Sequence, residues 1–184
     1  MRIIAGTRRG RALFTGRAAG FRPTSDRVRE AIFDVLAEEV AGRNVLDLFA
    51  GSGALGFEAL SRGASSVLFV EKNRRVAAWI ERNARELRFE AETRVASEDV
   101  LRFLKRPGGT EGRDLVFVDP PYGAGLVAPA LEALAGSPRR MLTVLERDKR
   151  EAAPPAGAPW RGASSYGDTV IEYFLIGGGQ GETR

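Results

Sequence analysis

Cysteine and histidine are both absent from this chain. Without thiols there is no disulfide framework and no thiolate metal site, and a reducing compartment is allowed. Without imidazole, the common zinc sites and histidine-based acid or base catalysis are excluded. No apolar stretch approaches the roughly 20 residues that a membrane-crossing helix needs, and the amino terminus lacks a signal-like apolar core. The expectation is a soluble, cytoplasmic monomer with no metal and no membrane partner. Lysine is nearly missing too: Lys72, Lys105 and Lys149 are the only ones among 28 basic residues. Positive charge is therefore carried by arginine, whose planar fork suits phosphate and stacks on bases. A coding bias toward Arg and Ala explains the bulk composition equally well.

What is present reads as one α/β domain, since 184 residues with 43% hydrophobic content suffice for an ordinary core. From Asn44 onward short apolar runs alternate with helical patterns, as a doubly wound sheet requires. Strands are expected at 44–49, 66–70, 93–96, 115–118, 141–145 and 170–176. A helix opens after the glycines near residue 51, another is marked by Val76, Ile80, Ala84 and Leu87, and a third spans 126–134. Ahead of this core, residues 3–5 and 11–14 flank Gly6 and Gly10 as a hairpin, and 17–22 form a loop. A helix then starts at Ser25 or Asp26, either of which can cap it, with Val28, Ala31, Ile32, Val35 and Leu36 on one face. That spacing turns Arg27 and Arg29 away from the apolar stripe. Residues 105–113 and 152–162 read as loops rich in Pro and Gly, and 177–184 as a disordered tail. The domain spans 1–176, with an extension at 1–40 and a core at 41–176.

Chemistry is concentrated in Asp119-Pro120-Pro121-Tyr122, which follows the buried-strand pattern Leu115-Val116-Phe117-Val118. Open α/β sheets bind ligands at the carboxyl ends of their strands. Consecutive prolines remove two backbone donors and hold the chain extended, so nearby carbonyls can point into a cleft. A carboxylate, a free carbonyl and a flat ring together describe a site for a base with an exocyclic amino group. The lone pair of such a nitrogen is delocalised, and acceptors aimed at its two hydrogens make it more tetrahedral and more nucleophilic. Asp-Pro and Pro-Pro also punctuate plain loops, so the motif alone does not decide.

A second motif narrows the choice. The strand 44–49 runs into Ala50-Gly51-Ser52-Gly53-Ala54-Leu55-Gly56, a glycine turn that lets backbone approach a ligand at a helix N-terminus. A nicotinamide-binding domain shares that turn. Asp47, within the strand, suits the cationic amino-acid end of a ligand better than a pyrophosphate. Glu71, ending the next strand, can accept both ribose hydroxyls in either nucleotide class. Asp99 is placed either to accept an adenine amino group or to cap a helix.

In that order these features resemble the S-adenosylmethionine-dependent amino-methyltransferases, and the match to one family is detailed. Arg2-Ile3-Ile4-Ala5-Gly6, Arg9-Gly10-Arg11, the run from Arg22 through Phe33, the run from Asp47 through Gly63, Phe117 through Tyr122, and Tyr166-Gly167-Asp168-Thr169 all resemble the RsmD-type methyltransferases over residues 2–176. The glycine turn and Asp-Pro-Pro-Tyr are shared with other methyltransferases; the arginine-bearing N-terminal motif is the narrowing one. The resemblance implies a Rossmann-like sheet of seven strands with the last antiparallel, and methylation of guanine N2 in bacterial 16S ribosomal RNA, free or in a small-subunit assembly particle. It implies S-adenosyl-L-methionine as cofactor, held by Thr24, Asp47, Phe49, Ala50, Gly51, Gly53, Glu71, Lys72 and Asp99. Asp119, Pro120, Pro121 and Tyr122 would present the base. Arg2, Arg8, Arg9, Arg11, Arg22, Arg27 and Arg29 would meet RNA, in an extension that also covers the pocket. Ser164-Ser165 departs from the pattern, which calls for a basic residue there. Three rivals stay open at this point: a DNA or RNA adenine-N6 methyltransferase, a nicotinamide oxidoreductase, and a non-catalytic RNA-binding ribosome-assembly protein.

Overall fold

The computed structural model of the chain describes residues 1–16, 25–152 and 158–179. Seven strands form one sheet: β1 (Asn44–Leu48), β2 (Ser66–Val70), β3 (Thr93–Ala96), β4 (Leu115–Val118), β5 (Met141–Asp148), β6 (Ala158–Tyr166) and β7 (Thr169–Ile176). Their order is β3-β2-β1-β4-β5-β7-β6. The first five are parallel, and β7 runs antiparallel to both β5 and β6. The order reverses between β1 and β4, so the crevice expected of a doubly wound sheet opens beyond the carboxyl ends of those two strands.

Alternation along the strands sorts the core into two layers. Val45 of β1, Val67 and Phe69 of β2, Leu115 and Phe117 of β4, and Leu142 and Val144 of β5 pack with α1 (Asp26–Leu36), α2 (Ala54–Ser61) and α3 (Arg74–Leu87). Leu46, Leu48, Val116, Val118 and Leu145 pack on the other face with α4 (Val100–Leu104) and α5 (Val127–Ala135). Because side chains alternate with period two, this parity carries past the strand ends and sets which residues overhang which layer.

Residues 1–16 lie against α2 and α3. Arg2 and Ala12 form an antiparallel bridge, and the Ile3 and Gly10 amides donate to the Arg11 and Ile3 carbonyls. The expected hairpin is thus present but closes on a turn of 3-10 helix, Gly6–Arg8, with no extended ladder. Its side of the core is reached through Ile3 and Leu13, both buried. Ser25 caps α1, its hydroxyl accepting from the Val28 amide at 3.2 Å.

Several expectations need correction. The strand expected at 44–49 stops at Leu48, because Phe49 adopts a left-handed φ of 59° and turns the chain. The segment 152–162 is not all loop: Ala158 already pairs with Leu175, in β6. β5 continues to Asp148, three residues beyond the apolar run, because β7 pairs with it along its whole length. Gly178 is tethered rather than disordered, its amide donating to the Ser137 carbonyl at 2.9 Å. Positions 180–184 of the expected tail, and the whole of the expected loop 17–22, lie outside the described residues.

Candidate active site

A cavity of about 770 Å³ opens at the carboxyl ends of β1, β2, β4 and β5. Asp47, Phe49, Ala50, Gly51, Glu71, Lys72 and Asp99 line one part, and Asp119, Pro120, Pro121 and Tyr122 another. Both sequence motifs therefore open on one space. Met1, Ser25, Arg27 and Val28 of the N-terminal region contribute to its wall as well. Gly53 does not line it; with φ 79° it is the left-handed residue that starts α2. Thr24 and Arg22 lie outside the described residues.

The glycine turn is held from below by backbone and carboxylate contacts. The Ala50 amide donates to the Val70 carbonyl at 3.1 Å, the Gly53 amide to the Ala50 carbonyl at 2.8 Å, and the Gly51 amide to Glu71 Oε2 at 3.0 Å. Glu71 Oε1 meanwhile accepts from the Asn73 amide at 2.8 Å, so each of its oxygens carries one of these bonds and retains further acceptor capacity. Helix α2 sits close on β2: a Cβ on Gly56 would meet the Phe69 ring at 2.3 Å. The Gly56 amide donates to Asp47 Oδ2 at 2.9 Å. Asp47 is 2% exposed, and burial pushes its carboxyl up to about 8, partly offset by that Gly56 bond and reinforced by the Glu71 charge. A cation placed beside it would reverse the shift.

Of the two functions weighed for Asp99, the helix cap is present. Its Oδ1 caps α4 by accepting from the Arg102 amide at 3.0 Å, and the residue also lines the cavity. Beyond β4, the Tyr122 ring is fixed by its hydroxyl, which donates to Glu146 Oε1 at 3.1 Å and shares a hydrogen bond of 2.8 Å with Thr169 Oγ1. Burial raises the phenol above its ordinary range and keeps it protonated. The Gly123 amide donates to Glu151 Oε1 at 2.9 Å, tying the loop after Tyr122 to the turn that leaves β5. Glu146, Ser165, Tyr166 and Thr169 complete that wall. Sequence reasoning missed Glu146 and Thr169; the signal was parity, since Leu142 and Val144 face the α1–α3 layer and Glu146 follows them.

The family model described as conserved hypothetical protein 95 matches residues 1–175. Ribosomal RNA small subunit methyltransferase D of Haemophilus influenzae is 40% identical over 160 residues, 84% of this chain and 83% of that protein. The chain belongs to this methyltransferase D family. The family's Escherichia coli member is 37% identical over 163 residues, covering 87% of this chain and 81% of its own. A solved Escherichia coli structure superposes with a TM-score of 0.82 at 31% identity, covering 97% of this chain and 98% of that one.

In this methyltransferase the N-terminal arginines divide into two sets. Arg2, Arg9 and Arg27 surround a smaller cavity of about 400 Å³ with Asp26 and Glu30, and Arg27 belongs to the main cavity as well. Arg8 and Arg11 face α3 instead: Arg8 Nε donates to the Leu87 carbonyl at 2.6 Å and Arg11 Nη2 to the Glu86 carbonyl at 2.9 Å, at the negative end of that helix. Arg8 also lies over the Phe89 ring at 4.9 Å.

Arg29, expected to turn away from the apolar stripe and to meet RNA, is instead 0% exposed and buried under the N-terminal segment. Its Nη2 donates to the Arg2 carbonyl at 2.6 Å and to Asp26 Oδ1 at 3.0 Å, and its Nε lies 4.0 Å from Glu58 Oε2. The reason is that residues 1–16 cover this side of α1, and Glu58, equally buried, supplies the opposing charge. Burial still draws the Arg29 guanidinium below its ordinary value, against the pull of Asp26 and Glu58.

Proposed function

We propose that this methyltransferase moves a methyl group from S-adenosyl-L-methionine to the exocyclic N2 of a guanine in 16S ribosomal RNA, in free RNA or in a small-subunit assembly particle. The observation that carries the reading is that Asp47, Glu71, Asp99, Asp119 and Tyr122 all open on one cavity. The residues present fit the cofactor. A desolvated carboxylate at Asp47 calls for a cationic ligand group, Glu71 retains acceptor capacity for ribose hydroxyls, and Asp99 for an adenine amino group. When bound, the cofactor supplies an electrophilic methyl group, so the protein's share of catalysis is positioning and electrostatics.

On the other wall Tyr122 offers its ring to a base taken out of its stack, as enzymes working on bases require. Asp119 and the Pro120 carbonyl accept the two amino hydrogens and stabilise positive charge as it develops on that nitrogen. Asp119 need not act as a strong base: the proton becomes acidic only after alkylation, and water can take it. Arg2, Arg9 and Arg27 hold phosphates near the cavity, and the N-terminal region excludes water from its mouth.

The test is transfer of isotopically labelled methyl to small-subunit RNA and to duplex DNA of matched length, followed by nucleoside analysis. Label in N2-methylguanosine of RNA is the expected result. Label in N6-methyladenosine, or no transfer by folded and cofactor-saturated protein to either free RNA or particle, would overturn it.

A further inference from the structure

Glu146 is a buried carboxylate in the cavity wall for which neither cofactor nor methyl transfer provides a task. Val118 of β4 and Leu145 of β5 are paired in parallel register, so the next residue on each strand is a carboxylate, Asp119 and Glu146. Neighbouring strands lie about 4.8 Å apart. By the parity of the two strands both acids follow the residues that face the α1–α3 layer, and both line the cavity. Glu146 is 6% exposed and receives the Tyr122 hydroxyl at 3.1 Å. A base lying on the Tyr122 ring therefore has its edge beside two carboxylates.

An ionised carboxylate accepts hydrogen bonds and donates none. Guanine carries a donor, N1–H, next to its amino group. Adenine and cytosine carry a ring-nitrogen lone pair there instead. One acceptor on the wall serves any amino group, whereas a second beside it welcomes guanine and repels the other two. Resting on the guanine reading above, we infer that Glu146 is the specificity-determining residue of this enzyme: it accepts the N1–H of the target guanine while Asp119 accepts from N2.

The plainer role for Glu146 is to anchor the Tyr122 hydroxyl, and the test separates the two. RNA carrying 2-aminopurine at the target position keeps the amino group, replaces N1–H with a lone pair and loses O6, so the change in the ratio on Glu146→Gln assigns the effect to N1. Wild-type protein is expected to favour guanine over 2-aminopurine in kcat/KM by on the order of a hundredfold or more, because a site built to pair a donor is left unpaired by its absence. Glu146→Gln retains an acceptor oxygen for the tyrosine and adds an amide donor for the lone pair. It should bring the ratio to within about tenfold. A wild-type ratio near one overturns the inference without any variant. So does a Glu146→Gln protein slowed equally on both substrates, which would make the residue an anchor and nothing more. Methylation of adenine in place of guanine by the wild type would instead refute the guanine reading itself, and this inference with it.

Discussion

Asp47 carries two tasks on one carboxylate. It fixes the turn through the Gly56 amide, and it stands in the cavity wall with its carboxyl pushed up to about 8 by burial. A carboxyl raised in the folded state contributes stability that is full below its unfolded value near 3.8 and is lost as pH rises through about 8. Free protein should therefore lose thermal stability progressively between about pH 4 and about pH 8, and Asp47→Asn should flatten that decline. Binding of a cationic ligand end should pull the group back down, releasing a proton. Calorimetry of cofactor binding at pH 7 in buffers of differing ionisation enthalpy should show that release, and Asp47→Asn should not. Proton uptake, or none, would contradict the placement of the cation. At the other wall, Asp119→Ala and Asp119→Asn should each lower the single-turnover rate about a hundredfold or more while cofactor affinity is kept, since one preorganised acceptor is lost. Tyr122→Ala should forfeit about 1–3 kcal/mol of base stacking, and Tyr122→Phe less, the phenylalanine losing only the hydroxyl tether to Thr169 and Glu146. Equal losses in kcat/KM for the two tyrosine variants would deny the stacking role.

Helix α2 joins the N-terminal segment to the catalytic core. Glu58, at its centre, accepts from the Ile4 and Ala5 amides at 2.7 and 3.0 Å and from Arg62 Nε at 2.8 Å, with Arg29 buried beside it. Removing one partner of a buried charge pair leaves the other uncompensated and costs about 3–5 kcal/mol. Glu58→Ala should destabilise the fold by that amount in urea unfolding, although the residue does not line the cavity. A loss under about 1 kcal/mol, typical of an exposed pair, would deny the clamp. The arginines of this segment should separate by position. Replacing Arg2 and Arg9 should flatten the salt dependence of RNA binding by roughly one unit of slope per lost phosphate contact, whereas replacing Arg8, which caps α3, should act on stability instead. Elements with strong local signals were legible in the chain: α1 from its serine cap and apolar stripe, and β2 and β4 from their Val, Leu and Phe runs. β6 was not, because an edge strand containing Pro159 and Gly162 carries the marks of a loop, and pairing with β7 overrides them. Glu146, Arg147 and Asp148 look like a polar exit from β5 yet are buried, Arg147 being satisfied by Glu172 at 2.8 Å. Arg29 was misread for a related reason: helical spacing marks one apolar face and is blind to a second element laid over the other.

At the scale of the molecule, function comes from topology. The order reversal between β1 and β4 opens the crevice, and strand parity brings Asp47, Glu71, Asp119, Glu146 and Thr169 into its wall from five different strand ends. The motifs before and after the reversal were readable as chemistry because each is contiguous: a glycine turn behind an acid, and an acid before two prolines and a ring. Glu146 and Thr169 were not readable as site residues: parity along β5 and the motif ending at Thr169 mark them, but only the pairing of β5 with β4 and β7 brings them to Tyr122. At this scale the proposed activity is a single methyl group placed on ribosomal RNA. Mass-spectrometric mapping of 16S RNA from cells lacking the protein should show one N2-methylguanosine missing, restored by the wild-type chain and not by Asp119→Ala expressed at the same level. An unchanged set of methylguanosines in those cells, or full restoration by Asp119→Ala, would contradict it.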